Sequence, residues 1–206
     1  MTRPDRLALT LALLAATGLL AASAACSDDD GVSSTETARR AYLGLDDAVA
    51  RSLTLGLQGF NAATSANIPA QNGTGTSTGT IVVGGQVDQG MSNNKEMRLT
   101  VTLTGYSDGP ALTVDGVDIV ITYATAPTMP AALDLSLRGV PTGTFTGTLI
   151  GSFQMTGGLE GEVTLNLMLS GQLEADGTGT RRKAGTTHVT GTATSGSGSF
   201  DVDLMI

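Results

Sequence analysis

Few side chains in this chain of 206 residues have the type and spacing that catalysis or metal binding requires. The chain has one histidine, His188, so a multi-histidine metal site is excluded. Ser195 and Ser197 lie close to His188 in sequence, but a Ser–His–Asp triad depends on geometry that sequence proximity does not supply. We therefore interpret His188 as a structural or surface residue on the polar face of a strand, and we predict no catalytic residue.

Closely spaced carboxylates are the next candidates, because paired acids can hydrolyse glycosides or bind Ca²⁺. Glycosidases normally also present aromatic platforms to the sugar, and this chain has no tryptophan. No segment has the alternating ligands and closing Glu of an EF-hand loop. We therefore interpret the carboxylate pairs as parts of solvated strand faces or turns, and we predict no metal site and no cofactor. The pairs are Asp46/Asp47, Asp115/Asp118, Glu160/Glu162 and Asp201/Asp203.

The one dense basic cluster is Arg181-Arg182-Lys183, which lies between Gly179 and Gly185. The surrounding glycines predict an exposed hairpin tip. Its cations could contact anionic lipid at a membrane surface, where each basic residue contributes about 1 kcal/mol. A loop that only increases solubility is the alternative interpretation.

The only cysteine, Cys26, directly follows a pattern typical of a secretory signal peptide. Arg3 and Arg6 precede a nearly unbroken apolar run over residues 7–22, and small residues follow the run. The run is shorter than the roughly 20 residues that a membrane-spanning helix needs. We predict that residues 1–25 are a cleaved signal peptide.

The segment Ser23-Ala24-Ala25-Cys26 resembles the lipobox of bacterial lipoproteins, in which small residues precede a lipid-bearing cysteine. The resemblance covers only the first 26 residues, and Ser23 stands where that family usually has leucine. It implies that Cys26 is the lipidation site, and that Ser27 in place of aspartate favours the outer membrane over the inner one. An ordinary cut before Ala25 is the alternative, and it would leave Cys26 as a free thiol.

The composition excludes several function classes. The chain has 11 Lys+Arg against 19 Asp+Glu and a formal net charge of -8, which argues against nucleic-acid binding. The absence of any further cysteine excludes a disulfide framework, an Fe–S cluster and a thiolate zinc site. The 28 glycines, with only 3% aromatic residues, are typical of a β protein with many turns.

The first part of the mature chain predicts a tether and a helix. Residues 26–34 are polar, and the spacing of Ser33 and Glu36 is that of a capping box. Apolar residues then recur every three or four positions, which predicts an amphipathic helix over residues 35–58. The predicted stripe consists of Ala38, Ala41, Tyr42, Leu45, Val49, Leu53, Leu57 and Phe60. Residues 59–77 are polar and rich in glycine, and they predict a loop or linker, with an irregular strand inside it as the alternative.

From residue 78 to residue 206, apolar and polar residues alternate, as in antiparallel strands with one buried and one wet face. The clearest rows are residues 97–103, 117–123, 133–137, 163–169 and 200–206. Turn signals separate the rows at Asn93-Asn94, Asp108-Gly109-Pro110, Pro141-Thr142-Gly143, Gly157-Gly158 and Asp176-Gly177. Glycines inside strands predict bulges or bends at Gly84, Gly147, Gly151 and Gly191.

These elements predict a single, mainly β domain over residues 35–206. Its core would be a curved antiparallel sheet or small barrel of about eight strands, packed on one N-terminal amphipathic helix. The apolar stripe of the helix and the apolar face of the sheet each have to be buried, and packing one against the other buries both.

The sequence thus predicts an exported lipoprotein with a non-catalytic, structural or protein-binding role in the cell envelope, and not an enzyme. Its partners would be the membrane, through a lipid on Cys26, and an envelope protein or lipid. The alternative is a carrier that holds a lipid or other apolar ligand inside the curved sheet. An integral membrane barrel is disfavoured, because 3 tyrosines and 4 phenylalanines are too few for two aromatic girdles.

Overall fold

The computed structural model describes residues 33–196 and 198–206. The predicted signal peptide, Cys26 and nearly all of the predicted tether lie outside the described residues. The described chain forms two consecutive helices, α1 (Ser34–Leu43) and α2 (Asp46–Ala62), followed by a strand-rich region.

The start of α1 has the capping interaction that the sequence predicts. The Ser33 side chain accepts a hydrogen bond from the Glu36 backbone N–H at 3.2 Å, which satisfies one free donor of the first turn. Glu36 also pairs with Arg40 one turn later, at 3.0 Å. The helix start is therefore specified by local sequence.

The amphipathic helix predicted over residues 35–58 is present, with a bend inside it and an end at Ala62. The bend lies at Gly44 and Leu45, between α1 and α2. There the buried Tyr123 hydroxyl donates a hydrogen bond to the Ala41 carbonyl at 2.8 Å, and a Cβ on Gly44 would overlap that hydroxyl. A distant strand residue thus ends α1, so the apolar spacing, which continues through the bend, could not reveal it.

Over the described residues the sheet contains eleven strands. Their bounds are β1 Asn67–Thr74, β2 Thr78–Val87, β3 Lys95–Ser107, β4 Pro110–Val114, β5 Val117–Thr125, β6 Ala131–Arg138, β7 Thr144–Gly157, β8 Gly161–Asp176, β9 Gly179–Arg182, β10 His188–Ser195 and β11 Gly198–Met205. All of the predicted turn signals lie at or directly beside strand connections.

Strand β1 lies inside the segment predicted as a loop or linker, and its register shift between Ile68 and Gln71 makes it the irregular strand that the sequence left open. Only Ile68 is fully buried in β1, and the polar sequence shows no alternation. The strand forms because its backbone pairs with β2 at the sheet edge, where few side chains need to be apolar.

The strands form an antiparallel meander with eight positions, in the order β1, β2, β3, β5 and β6 together, β7, β8, β10 and β11. Strands β5 and β6 lie end to end, because β3 and β7 each pair with β6 along one part of their length and with β5 along another. Pro127 and Pro130 lie in the gap between them, where a proline cannot donate to a ladder. Strands β4 and β9 are short arms that pair only with β5 and β8.

One side of the curved sheet and the helix stripe form the core. The predicted rows on β3, β6 and β8 are buried as expected. On β5 the row is fully buried only at Ile121 and Tyr123. In the part of the strand that pairs with β4, Ile119 is partly buried and Val117 is exposed. Among the described residues no ladder joins β1 to β11, so the sheet stays open.

The two helices lie over the concave side near opposite edges of the sheet. Helix α1 packs against β10 and β11, where Tyr42 and Phe200 have ring centroids 6.0 Å apart, and α2 packs against β1, β2 and β9. The predicted architecture of a curved antiparallel sheet on an N-terminal helix is confirmed.

Candidate functional site

The predicted basic cluster lies beside a cleft between α2 and β9. Arg181 and Arg182 end β9, and Lys183 follows directly. The turn of the β8–β9 hairpin lies at residues 177–178, so the cluster is at the opposite end of β9 and not at the hairpin tip. The turn chemistry of Asp176-Gly177 was visible in the sequence, but the length of β9 was not.

The three basic side chains differ in their surroundings. Arg181 is exposed, and its Nε donates to Glu174 Oε1 at 2.9 Å. Lys183 is exposed, and its Nζ donates to Gln172 Oε1 at 3.3 Å.

Arg182 instead shares the core side of the hairpin with the buried Leu173, because the two residues pair directly across β8 and β9. Arg182 Nη1 is buried, and it has no hydrogen-bond partner among the described residues. Burial lowers the pKa of the Arg182 guanidinium below its usual value.

Asn61, at the end of α2, fixes the position of β9. Its side-chain amide donates to the Thr180 carbonyl at 2.8 Å and accepts from the Thr180 backbone N–H at 2.9 Å, as a neighbouring strand would do. A Cβ on Gly179 would lie 2.7 Å from Asn61 Cγ, so a glycine is needed for this close approach. No local pattern could have predicted a contact between residues so far apart in the chain.

The cleft has two compartments that share Asn61, Asp176 and Thr180. One, of about 310 Å³, is bounded on the helix side by Thr54, Leu57 and Gln58, and on the strand side by Arg181, Arg182 and Ala184. The other, of about 440 Å³, is bounded by Phe60, Val140, Pro141, Thr178 and Gly179. Both are open to solvent, and Arg182 lines the first, although its Nη1 is itself buried from solvent.

His188 lies on the outer, polar face of β10, as the sequence predicts. Its Nε2 is 2.6 Å from Asp203 Oδ1 on β11, and both side chains are well exposed. Ser195 lies at the other end of the same strand, about 23 Å away at 3.3 Å per residue. These residues therefore form no triad, and Ser197 lies outside the described residues.

The predicted carboxylate pairs have ordinary polar partners where the structure records them. Glu162 accepts from Gln154 at 2.7 Å, and Asp118 accepts from Thr113 at 2.7 Å. The described residues contain no group of three or more His, Cys, Asp or Glu arranged to hold a metal ion.

A third, acidic recess of about 220 Å³ lies beside the helix bend, where Asp46, Asp47 and Asp108 meet. Burial raises the pKa of Asp46, and the charges of Asp47 and Asp108 add to this effect, against hydrogen bonds from backbone N–H groups that lower it. Asp108 is already engaged by the Tyr106 hydroxyl at 2.6 Å and by Arg51 at 3.4 Å. The recess is therefore accounted for by contacts within the chain.

No protein-family model, curated protein or solved structure matches this chain. Across the described residues, none of the helices is both long enough and apolar enough to cross a bilayer. The role of the protein has to be argued from its residues and their packing.

Proposed function

We propose that this chain is an exported lipoprotein, tethered to the cell envelope by a lipid on Cys26, with a non-catalytic structural or protein-binding role. The signal-like residues 1–25 and the lipobox-like segment ending at Cys26 support the anchor. Only seven residue steps separate Cys26 from Ser33, where the described chain begins. A lipid on Cys26 would therefore hold Ser33 within about 25 Å of the membrane, since a residue spans at most ~3.6 Å.

The packing of α2 on the sheet is the observation that carries the structural role. Leu45, Val49 and Ser52 meet the sheet residues Val101, Leu103, Leu149, Phe153 and Leu165 there. The space left between them is about 10 Å³, close to the smallest that holds one water molecule. Drug-sized ligands need pockets of about 300–1,000 Å³, so a carrier that holds its ligand inside the curved sheet would have to lift α2 from the sheet.

The exposed Arg181 and Lys183 support a contact of the basic cluster with anionic lipid. Both side chains reach the surface from the end of β9, and neither contributes to the core. Each would add about 1 kcal/mol near an anionic membrane. This contact would orient the domain on the membrane and would not by itself hold it there.

Metabolic labelling with a fatty-acid analogue tests the anchor. We expect label on the unsubstituted chain and on the control Ser27→Ala, and none on Cys26→Ser, which differs by one atom in the side chain. Equal labelling of Cys26→Ser and the unsubstituted chain would remove the lipoprotein proposal.

Mass spectrometry of an organic-solvent extract tests the structural role against the carrier. The extraction precipitates the protein with any thioether-linked lipid and releases only bound, non-covalent ligand. We expect no defined apolar compound in amounts equal to the protein. One defined lipid at that ratio would refute the structural role and support the carrier.

A further inference from the structure

The two edges of the open sheet differ in how well they are protected against further pairing. Strand β1 forms one edge, and its Pro69 has no N–H to offer to another strand. The Gln71 side chain donates to the Pro69 carbonyl at 2.9 Å. Arg51 of α2 donates to the Thr74 carbonyl at 2.8 Å. Strand β11 forms the other edge, has no proline, and pairs with β10 over its whole length without a register shift. Of the two edges, β11 is therefore the one that can accept another strand.

The ladder to β10 leaves every second residue of β11 with its backbone groups directed outwards. Ile206 and Thr187 exchange backbone hydrogen bonds just beyond the end of this ladder, at 2.9 and 3.4 Å. In an antiparallel ladder, pairs that exchange such bonds alternate with pairs that do not, so alternate residues of β11 direct their N–H and C=O away from β10. These edge residues are Ser199, Asp201, Asp203 and Met205. Within the described parts of the chain, no strand and no loop backbone pairs with them.

Exposed carboxylates lie on one side of the edge residues, and half-buried apolar residues lie on the other. Asp201 and Asp203 project from the outer face, two residues apart, and the Asp203 side chain is 78% exposed. Asp203 contacts His188 on the neighbouring strand β10, on the side away from the edge. On the concave face, Phe200 and Leu204 pack against the core but stay partly exposed. A strand beside β11 would thus meet carboxylates on one face and apolar side chains on the other.

We propose that the β11 edge binds an extended segment of a partner protein by strand addition, and that this segment alternates basic and apolar side chains. The partner strand forms backbone hydrogen bonds with the edge residues, which supply affinity in this mode of recognition. Its Lys or Arg side chains lie beside Asp201 and Asp203, and its apolar side chains cover Phe200 and Leu204. The formal net charge of -8 favours the approach of a basic partner. This inference rests on the protein-binding role proposed above, and it names the surface and the partner class for that role.

A second copy of this chain fits the β11 edge less well than a basic segment. In the antiparallel register that pairs the whole edge, Asp201 of each copy would lie opposite Asp203 of the other, and like charges directly opposite each other are destabilising. The predicted tether is another segment near this edge, since the Ser34 carbonyl lies against Gly198. That tether carries Asp28-Asp29-Asp30 and would meet the same repulsion. Charge therefore favours a basic segment from another protein.

Binding of a synthetic peptide to the full-length chain in neutral detergent tests the proposal. The probe is a dye-labelled octapeptide of alternating lysine and valine, which matches the eight residues of β11, and fluorescence anisotropy reports its binding. An octapeptide of alternating glutamate and valine is the control of opposite charge. We expect saturable binding of the lysine peptide and at least about tenfold weaker binding of the glutamate peptide. Equal binding of the two peptides, or no binding of the lysine peptide, would overturn the proposal.

Two double variants separate the β11 edge from general attraction to an acidic protein. Asp201→Asn with Asp203→Asn should weaken binding of the lysine peptide about three- to tenfold, because both cross-strand charge pairs are lost. Asp118→Asn with Asp134→Asn is the matched control, since it removes the same charge from β5 and β6, four strand positions from β11. We expect the affinity of the control to stay within about twofold of the unsubstituted chain. Equal losses in the two double variants would overturn the proposal in favour of general attraction.

Amide hydrogen exchange, measured by NMR, tests whether the peptide pairs with the backbone of β11. Strand addition engages the N–H groups of the edge residues, so their exchange should slow about tenfold or more at saturation. The N–H groups of Phe200, Val202 and Leu204 already bond to β10, and their exchange should change much less. Protection without this alternation would overturn strand addition. If a charge variant fails to fold, the alternation in the unsubstituted chain still decides the proposal.

Methylation of the peptide backbone gives a second test with matched probes. In antiparallel addition the lysines lie opposite the edge residues, so lysine N–H groups bond to β11 and valine N–H groups point away. Methylation of the lysine nitrogens of the backbone should therefore abolish binding, whereas methylation of the valine nitrogens should preserve it. The reverse order would identify parallel addition to the same edge. Equal effects of the two methylations would overturn strand addition.

Two controls separate the β11 edge from the anchor and from self-association. Cys26→Ser, which should lose the fatty-acid label, should bind the lysine peptide with unchanged affinity, so a failure of the anchor and a failure of the edge are distinguishable. Analytical ultracentrifugation of Cys26→Ser should show a monomer. A dimer that the lysine peptide dissociates would assign the edge to a second copy and overturn the proposal.

Discussion

Two buried tyrosines allow a matched test of the helix–sheet interface. Tyr42 and Tyr123 are both fully buried, but only the Tyr123 hydroxyl has a partner, the Ala41 carbonyl at 2.8 Å. The Tyr42 hydroxyl has none among the described residues. Replacement by phenylalanine removes one oxygen in each case and leaves the ring in place, so little cavity arises.

Tyr123→Phe should lower the free energy of unfolding by about 2 kcal/mol. The substitution removes the hydrogen bond and leaves the buried Ala41 carbonyl without its donor, which costs about 1–3 kcal/mol. For a domain of this size the thermal midpoint should fall by about 4–8 °C. Tyr42→Phe should leave the stability unchanged or raise it by up to about 1 kcal/mol, because it removes a buried hydroxyl that has no partner.

Urea unfolding followed by far-UV circular dichroism measures both effects. The slope against denaturant should stay the same in both variants, so that only the midpoint moves. If Tyr42→Phe destabilises the protein as much as Tyr123→Phe, the difference between the two hydroxyls does not exist and the account of the helix bend is wrong.

Three further outcomes follow from the packing and the buried groups. Leu53→Ala should cost about 2–5 kcal/mol in urea unfolding, because Leu53 is buried, whereas the exposed neighbour Thr54→Ala should change stability by less than about 0.5 kcal/mol. Asn61→Ala should speed hydrogen exchange of the Thr180 backbone amide about tenfold or more, as measured by NMR, because that N–H donates to Asn61 Oδ1. Unchanged exchange would contradict the claim that Asn61 holds β9 in place. Burial raises the pKa of all three tyrosines above the value of about 10 that they have in the unfolded chain. The free energy of unfolding should therefore not depend on these groups below about pH 10, and above it should fall by about 1.4 kcal/mol per tyrosine per pH unit. Constant urea midpoints from pH 9 to pH 11 would refute this.

The fold was largely predictable where the pattern depends on one buried face. In β3, β6, β8 and the helix, each side chain lies either in the core or in water, and the two environments recur at the period of the element. Apolar and polar residues therefore alternate with that period along a short stretch of sequence. Turns were predictable for a similar reason, because glycine, proline and asparagine restrict the backbone themselves.

The features that were missed depend on contacts between distant parts of the chain. The bend at Gly44 arises from Tyr123, and the bounds and register of β1 are set by backbone pairing with β2, which its polar side chains do not indicate. The inward direction of the Arg182 side chain depends on the pairing of Arg182 with Leu173 and on the hydrogen bond from Asn61 to the Thr180 carbonyl, which positions β9. Three basic residues in a row therefore look equivalent in the sequence, although only Arg182 lies on the core side of the hairpin.

The order of the elements along the chain has a consequence for synthesis. Each ladder joins strands that are close neighbours in the chain, so hairpins can assemble one after another as they emerge. The helices precede the strands along the described chain, and about 100 residues separate Val49 from its contact Phe153. Strands β1 and β2 follow α2 directly and can cover part of it early. At about 5–20 residues per second, the part of α2 that contacts Phe153 would stay uncovered for roughly 5–20 s. During that interval a chaperone that binds apolar helices has a target that the finished protein no longer exposes.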